Sequence, residues 1–417
     1  MITAHVAPVV LPVAEPPIPD GAVVVEGESI VAVGRADAVV PPGARTRGWP
    51  GVLTPGLVNA HAHLQLTDFA DLARSGLRFG AWIIELVRRR AACDAAFWAE
   101  STRRGVHALL AAGTTAVADV ATDRAALAPP ARAGLAGVSF VEAVGADAAT
   151  WAERTRPAVL DTVHAAPAGR AVGLSPHTLY TLGTSVFRDV LALARARGLR
   201  VHTHLAETTG EVEFVRTGTG PIAEHFRRAG FGFELLADGG CGASPAAHLA
   251  SLGGLGPDVH VAHGVHLDAA DRALLRRHRT AVALCPRSNR LLGAGDAPVA
   301  AHLAEGDPIA VGTDSLASSP SLDLWEDVRA LRDLARAQGY VGDDLDRRLV
   351  AAATVGGAAA LGLADAGVLR PGVRADFAVF DVPTSGDPYA SLVAHAAGRC
   401  VATVLAGRLV HRARAPG

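Results

Sequence analysis

The chain is expected to be an α/β protein: a parallel (β/α)₈ barrel of the TIM type, with a small β-sandwich domain built from both termini. Three observations carry that expectation. Eight short apolar, β-prone runs recur through the middle of the chain, separated by Ala/Leu/Arg/Glu-rich helical segments. Polar residues able to do chemistry follow most of those runs, where barrels place their active sites. The two ends read instead as β-hairpins.

The eight runs lie near Gly56–Ala60, Thr114–Asp119, Gly137–Val144, Ala171–Ser175, Arg200–Thr203, Val259–Ala262, Thr280–Leu284 and Pro308–Gly312. Helical segments between them carry suitable stop signals; Ser185–Arg197 ends at Gly198. Residues 21–34 read as a hairpin with a Gly-containing turn, and residues 366–381 and 400–411 read likewise. Strands from both ends would then pair, giving a small β domain from 1–55 and 366–417 and a barrel from 56–365.

Bulk properties exclude several function classes. The net charge is −2, which argues against a nucleic-acid or anionic-membrane partner. No stretch approaches the roughly 18 apolar residues a membrane span needs. The opening Met1–Pro19 is apolar but has no basic flank and is broken by prolines, so no secretory signal is expected. Four scattered cysteines form no Cys-x-x-Cys pair and fit reduced thiols in the cytoplasm. All 39 basic side chains are arginine. The absence of lysine excludes Schiff-base chemistry, a pyridoxal-phosphate anchor, a Walker loop and a carboxylated lysine bridging two metals.

The first run ends in His61-Ala-His63. On a strand, residues i and i+2 share a face, so the two imidazoles converge. The fourth run leads to Pro176-His177, the fifth to His204-Leu-Ala-Glu207, the sixth to His263, the seventh to Pro286-Arg-Ser-Asn289 and the eighth to Asp314. Three imidazoles and a carboxylate suit one divalent ion, Zn²⁺ first and Fe²⁺ second, with a position left for water. The candidates are His61, His63, His204 and Asp314. His202 shares the face of His204, so spacing alone leaves the choice open; His204 is favoured because it ends the strand three residues before Glu207. Glu207 is the candidate general acid. In the sixth run, alternation sets His260 and His266 on one face and His263 on the other, and His263 is assigned to the metal side.

With these residues assembled, the sequence resembles the amidohydrolase superfamily, in its mononuclear branch of purine, cytosine and triazine deaminases. The phrases "TPGLVNAHAHL", "SPHTLYT", "HTHLAET", "VAHGVHL", "GTDSLAS" and "GVLRPGVRADFAVFD" carry the resemblance across nearly the whole chain. It implies that His61, His63, His204 and Asp314 bind the metal. It further implies that Glu207 protonates a ring nitrogen, that His263 flanks the metal and that Asp314 shuttles a proton to departing ammonia. His177 matches a substrate-contacting position, and Arg287 and Asn289 are further candidate substrate contacts. "FGAWIIELVRRR", "HLAETTGEVEFVRTGTGP" and the stretch from "ALCPRSNRLLGAGDAPV" to "SLDLWED" are most similar to aminodeoxyfutalosine deaminases of the futalosine route to menaquinone. That substrate carries a benzoate, for which Arg78, Arg287 and Arg290 are the candidate partners. Ala62 and Gln65 stand where many relatives carry Thr and Glu, a departure that bears on the substrate. S-Adenosylhomocysteine, methylthioadenosine, adenosine, guanine and s-triazines are the alternative substrates, and a metal-free scaffold is the alternative of another class. The expected partners are a small-molecule substrate and at most a second copy of the chain, as a homodimer. Segments 64–82 and 208–258 are expected to rim the pocket.

Overall fold

A computed structural model describes residues 2–413; Met1 and residues 414–417, the last part of the expected β domain, lie outside the described residues. The chain opens with β1 (Ile2–Val10), β2 (Ile18–Glu26), β3 (Ser29–Arg35), β4 (Arg45–Gly48) and β5 (Val52–Pro55). The eight central strands are β6 (Leu57–Ala62), β7 (Thr114–Ala121), β8 (Ala136–Ala143), β9 (Ala171–Pro176), β10 (Val201–Leu205), β11 (Val259–His263), β12 (Ala281–Leu284) and β13 (Ile309–Val311). The chain closes with β14 (Phe377–Phe380), β15 (Cys400–Leu405) and β16 (Arg408–Arg412).

Strands β6 to β13 form one parallel sheet in sequential order, with β6 and β13 at its ends. Each overlaps one of the eight runs read from the sequence. The two end strands are joined through side chains: the Asn59 amide donates to Thr313 Oγ1 at 2.7 Å and accepts from the Thr313 backbone at 3.2 Å. The Asp314 amide then donates to the His61 carbonyl at 3.0 Å. This nearly closed barrel therefore brings its first and last strands, and with them His61 and Asp314, side by side.

The terminal strands form a separate mixed sheet in the order β16-β15-β14-β5-β1-β2-β3, with β4 alongside β1. Val10, Val23, Val25, Leu53, Phe377, Val379 and Val404 share one core there, so strands from opposite ends of the chain bury a common apolar face. The β2–β3 hairpin stands where the sequence placed it. Strand β1 is not among the strands read from the sequence, although it lies within the expected β domain. Pro8 has no N–H to give, and the register of β1 on β2 passes over it from Ala7 to Val9.

Two apolar layers hold the barrel. Outside, Val201, Val259, Val261, Val282, Leu284 and Val311 pack with helical residues such as Phe187 and Val190 in one core. Full burial of each such side chain contributes about 1.5–3 kcal/mol. Many residues of a second core are small, among them Ala116, Ala118, Ala281, Ala283 and Ala310. Small side chains leave room for a stack of rings, with His202 lying between Phe140, His260 and His61. Among the described residues no helix is long and apolar enough to cross a membrane.

Candidate metal and active site

His61 and His63 converge as their spacing requires. Their Nε2 atoms lie 3.5 and 3.7 Å from Asp314 Oδ1. His63 Nε2 and His204 Nε2 are 3.2 Å apart. Gly312 permits the packing, since a Cβ there would sit 2.8 Å from His61 Cβ and 2.9 Å from Cys285 Sγ.

These donors fit a cation. Metal–nitrogen bonds of about 2.0–2.1 Å in a tetrahedron set neighbouring donors roughly 3.3 Å apart. Both ring nitrogens of His61 are buried without a hydrogen-bond partner. The His204 Nδ1–H donates to the His177 carbonyl at 3.1 Å, which leaves Nε2 as a lone pair toward the cluster. Burial lowers the pKa of His61 despite Asp314, and holds His63 and His204 well below the usual histidine value, helped by neighbouring imidazoles. Neutral imidazoles are the form a metal takes. Burial alone would raise the Asp314 carboxyl; the facing His61, His63 and His263 hold it well below the carboxylate range. Asp314 Oδ2 accepts from Ser288 Oγ at 2.6 Å and Ser318 Oγ at 2.7 Å, and Oδ1 accepts from the Ser315 amide at 2.8 Å.

His202, the alternative on the same face, lies deeper. It stacks on His61 with ring centroids 4.8 Å apart, and Ser175 Oγ sits 3.3 Å from its Nδ1. The geometry groups His204, not His202, with His61 and His63.

Glu207 owes its place to the loop after β10. Glu211 accepts from the backbone N–H groups of Ala206 and Glu207, each at 2.8 Å, while Thr208 caps the helix Thr209–Thr217. Ala206 takes a φ of 51° to allow this turn, a left-handed conformation tolerated where the surroundings impose it. Burial, reinforced by Asp314 and opposed by His263, pushes the Glu207 carboxyl up to about 7.

His263 lies 3.7 Å (Nδ1) from Glu207 Oε1, and its Nδ1 meets Asn289 Oδ1 at 2.8 Å. Burial opposes its protonation, but Glu207, Asp314 and Asn289 outweigh burial and raise its pKa. One expectation fails here. His260, assigned by alternation to the opposite face, also points into the barrel, where its Nε2 meets the Ala60 carbonyl at 3.1 Å. His263 has a φ of 73°, so the strand's alternation ends before it.

A cavity opens above the cluster. Its wall comprises His63, Glu142, His177, Tyr180, His204, Glu207, His263 and Asp314, closed by Leu66, Ser315 and the helix Phe79–Arg90 through Phe79, Trp82, Ile83, Leu86 and Arg90. Segment 64–82 contributes as expected, but nothing from 208–258 lines this cavity.

Two of the three candidate substrate contacts are placed elsewhere. Only His177 lines the cavity, with Nδ1 held by Thr181 Oγ1 at 2.9 Å. Asn289 lies outside the cavity lining, its Oδ1 orienting His263 and its Nδ2 buried without a partner, and its neighbour Ser288 holds Asp314, so the Pro286–Leu292 helix positions other polar side chains of the site. Arg287 is spent on Asp327, with Nη2 2.7 Å from a fully buried carboxylate, and also bonds Glu326 and Ser321. Arg287→Met is therefore expected to cost about 3–5 kcal/mol, read from urea unfolding, because it strands that carboxylate. KM should change little; a raised KM with normal stability would restore Arg287 to the substrate.

Arg78 and Arg290 also stay outside the cavity lining, and Arg290 is 65% exposed, 4.0 Å from Asp296. Arg90 is the arginine on the wall. It bonds Thr122 Oγ1, lies over the Trp98 ring and pairs with no carboxylate among the described residues. Gln65 steadies the same threonine through bonds of 2.9 and 3.2 Å, which gives this departure a structural role. Sequence reading missed Arg90 within a run of three arginines. It also missed Glu142, whose position at the end of the third barrel strand was the available signal.

The chain is similar to known proteins in sequence and fold. A 5-methylthioadenosine/S-adenosylhomocysteine deaminase from Pelotomaculum thermopropionicum is 31% identical, covering 87% of this chain and 80% of its own length. An aminodeoxyfutalosine deaminase from Deinococcus radiodurans is 32% identical, covering 82% and 81% respectively. The crystal structure of an adenosine deaminase from Xanthomonas campestris with bound zinc superposes with a TM-score of 0.81 at 26% identity, over 98% of this chain and 92% of that one. Residues 52–410 match the amidohydrolase family model, a span that holds the whole barrel and every residue of the cluster, and the chain belongs to that family.

Proposed function

We propose that the protein is a metal-dependent aminohydrolase that deaminates an aminopurine nucleoside, with 6-amino-6-deoxyfutalosine as the preferred substrate and futalosine and ammonia as products. The observation that carries this reading is Glu207, a carboxyl pushed up to about 7 beside a group of His61, His63 and His204, with Asp314 facing His61 and His63 across 3.5 and 3.7 Å. Hydrolytic deamination needs both a water-activating centre and an acid that stays protonated near neutrality. Relatives named for deamination of adenine nucleosides support it.

His61, His63, His204 and Asp314 would hold a divalent ion, Zn²⁺ or Fe²⁺, which when bound would lower the pKa of water toward neutrality. Glu207 gives its proton to the ring nitrogen next to the amidine carbon as water adds there. Asp314, kept ionised, takes a proton from the attacking water and delivers it to the amine, which leaves as ammonia while the remaining hydroxyl proton returns to Glu207 and the C–O bond becomes a carbonyl. His263, its pKa raised by Glu207, Asp314 and Asn289 and its Nδ1 held by Asn289 Oδ1, stabilises the developing oxyanion. Arg90, without a carboxylate partner among the described residues, favours a nucleoside whose distal group is anionic. That chemistry suits the benzoate of aminodeoxyfutalosine and, as a second reading, the carboxylate of S-adenosylhomocysteine. The preferred substrate would place the chain in menaquinone biosynthesis.

Ammonia release from 6-amino-6-deoxyfutalosine, S-adenosylhomocysteine, methylthioadenosine, adenosine, guanine and an s-triazine tests the reading. kcat/KM should be highest for the first; a lower value than for adenosine or S-adenosylhomocysteine would remove it as the substrate. The pH profile has a defined sign. Glu207 acts in its protonated form, so kcat/KM should hold below about 7 and fall as pH rises through that value. Glu207→Gln should lower kcat/KM by roughly 10²–10⁴-fold. A flat profile from pH 6 to 9 would take the acid role from Glu207.

A further inference from the structure

The cavity above the cluster encloses about 60 Å³. Pockets for drug-sized ligands span roughly 300–1,000 Å³, and a nucleoside needs at least the lower part of that range. Part of the wall must therefore withdraw before such a substrate can enter. Glu142, His204 and His263 belong to barrel strands and are fixed by the ladder. The helix Phe79–Arg90 is outside that ladder, yet it supplies the wall with Phe79, Trp82, Ile83, Leu86 and Arg90.

This helix is held lightly. Trp82 and Leu86 are its buried side chains, while Ile84 and Val87 are 57% and 58% exposed. Arg88 bonds Glu85 of the same helix, and Arg89 divides itself between Glu85 and Asp71. Gly76, with a φ of 74°, and Gly80 lie at its entry with open space where a Cβ would stand. An element with so little buried apolar surface opens at small cost beside the barrel.

One bond gives its closed position a chemical consequence. Trp82 Nε1 donates to the Ala317 carbonyl at 2.7 Å, across 235 positions of sequence. Ala317 lies inside the turn Ser315–Ser318, which closes through the Ser318 amide on the Ser315 carbonyl at 3.1 Å. Both ends of that turn bond the Asp314 carboxylate. Asp314 itself has a φ of 58°, a left-handed backbone that lasts only where its surroundings impose it.

We propose that the helix Phe79–Arg90 is a lid and that Trp82 is a positioning residue, seating the lid on the Ser315–Ser318 turn so that closure over a bound nucleoside completes the placement of Asp314. This rests on the nucleoside reading above. Closure excludes bulk water from the reacting amidine and sets the carboxylate in the same movement.

Trp82→Phe tests the latch, since it keeps a ring among Leu66, Phe69 and Trp98 and removes the N–H. On the panel nucleoside turned over fastest, W82F should lose roughly five- to tenfold in kcat, with KM within about twofold and bound metal retained. Hydrogen exchange of wild type tests the lid, with the deaminated product of that nucleoside as the probe (inosine, for adenosine). Amides of residues 79–90 should exchange at least about tenfold faster than those of the helix Thr184–Ala196, and saturating product should slow them at least about tenfold. An unchanged kcat in W82F, a loss confined to KM, or metal lost from W82F would overturn the inference while leaving deamination standing. Should W82F fail to fold, the wild-type exchange decides: residues 79–90 as slow as Thr184–Ala196, or indifferent to the product, would overturn it equally. A wild type inactive on every nucleoside of the panel would instead overturn the nucleoside reading, and this inference with it.

Discussion

Asp314→Asn is expected to lower kcat/KM by roughly 10³-fold or more while leaving the fold intact. The substitution keeps the shape of the side chain and removes its charge. Ser288, Ser318 and the Ser315 amide now place three donors on the carboxylate. The two hydroxyls can rotate to meet an amide, so the loop after β13 should hold its course. What is lost is the anion facing His61 and His63 across 3.5 and 3.7 Å, and the group that carries a proton between water and amine. Steady-state kinetics with circular dichroism checks both halves. Near-normal kcat in a folded D314N would remove Asp314 from the mechanism.

His204→Ala should abolish metal retention and turnover together, whereas His202→Ala should keep its metal. The two residues differ in sequence by a single intervening threonine, but not in depth alone. His204 Nε2 is 3.2 Å from His63 Nε2, with its other nitrogen tied to a backbone carbonyl. His202 lies flat against His61, its planes 3° from parallel, and fills the barrel below. H202A is accordingly a packing variant, with a stability cost of about 1–3 kcal/mol for the lost core contacts. Elemental analysis of both proteins purified without chelator decides it. Metal lost from H202A and kept by H204A would mean the ligand set is shifted by one layer.

The barrel was legible because its strands are short, apolar and regularly spaced, and because chemistry follows their ends. Asp314, proposed from that rule, and Glu207, proposed from its spacing after His204, both line the cavity. Four things were not legible. The left-handed backbone at His263 comes from packing at the barrel mouth, so period-two reasoning put His260 on the wrong face. Arg287 and Asn289 sit in a motif that follows a barrel strand, and sequence order cannot distinguish touching a substrate from holding another side chain of the site. Arg90 is one of three consecutive arginines; its neighbours Arg88 and Arg89 pair with Glu85, and only the helix's placement over the mouth turns the third one inward. Strand β1 was hidden for a local reason, since its proline is tolerated where the β1–β2 register passes over it.

Anomalous diffraction at a metal absorption edge, from crystals of the protein purified without chelator, addresses the arrangement of ligands directly. One peak is expected, enclosed by His61, His63, His204 and Asp314 and touching neither His202 nor His260. A strong peak elsewhere in the barrel, or a folded and active protein with no peak at all, would contradict it.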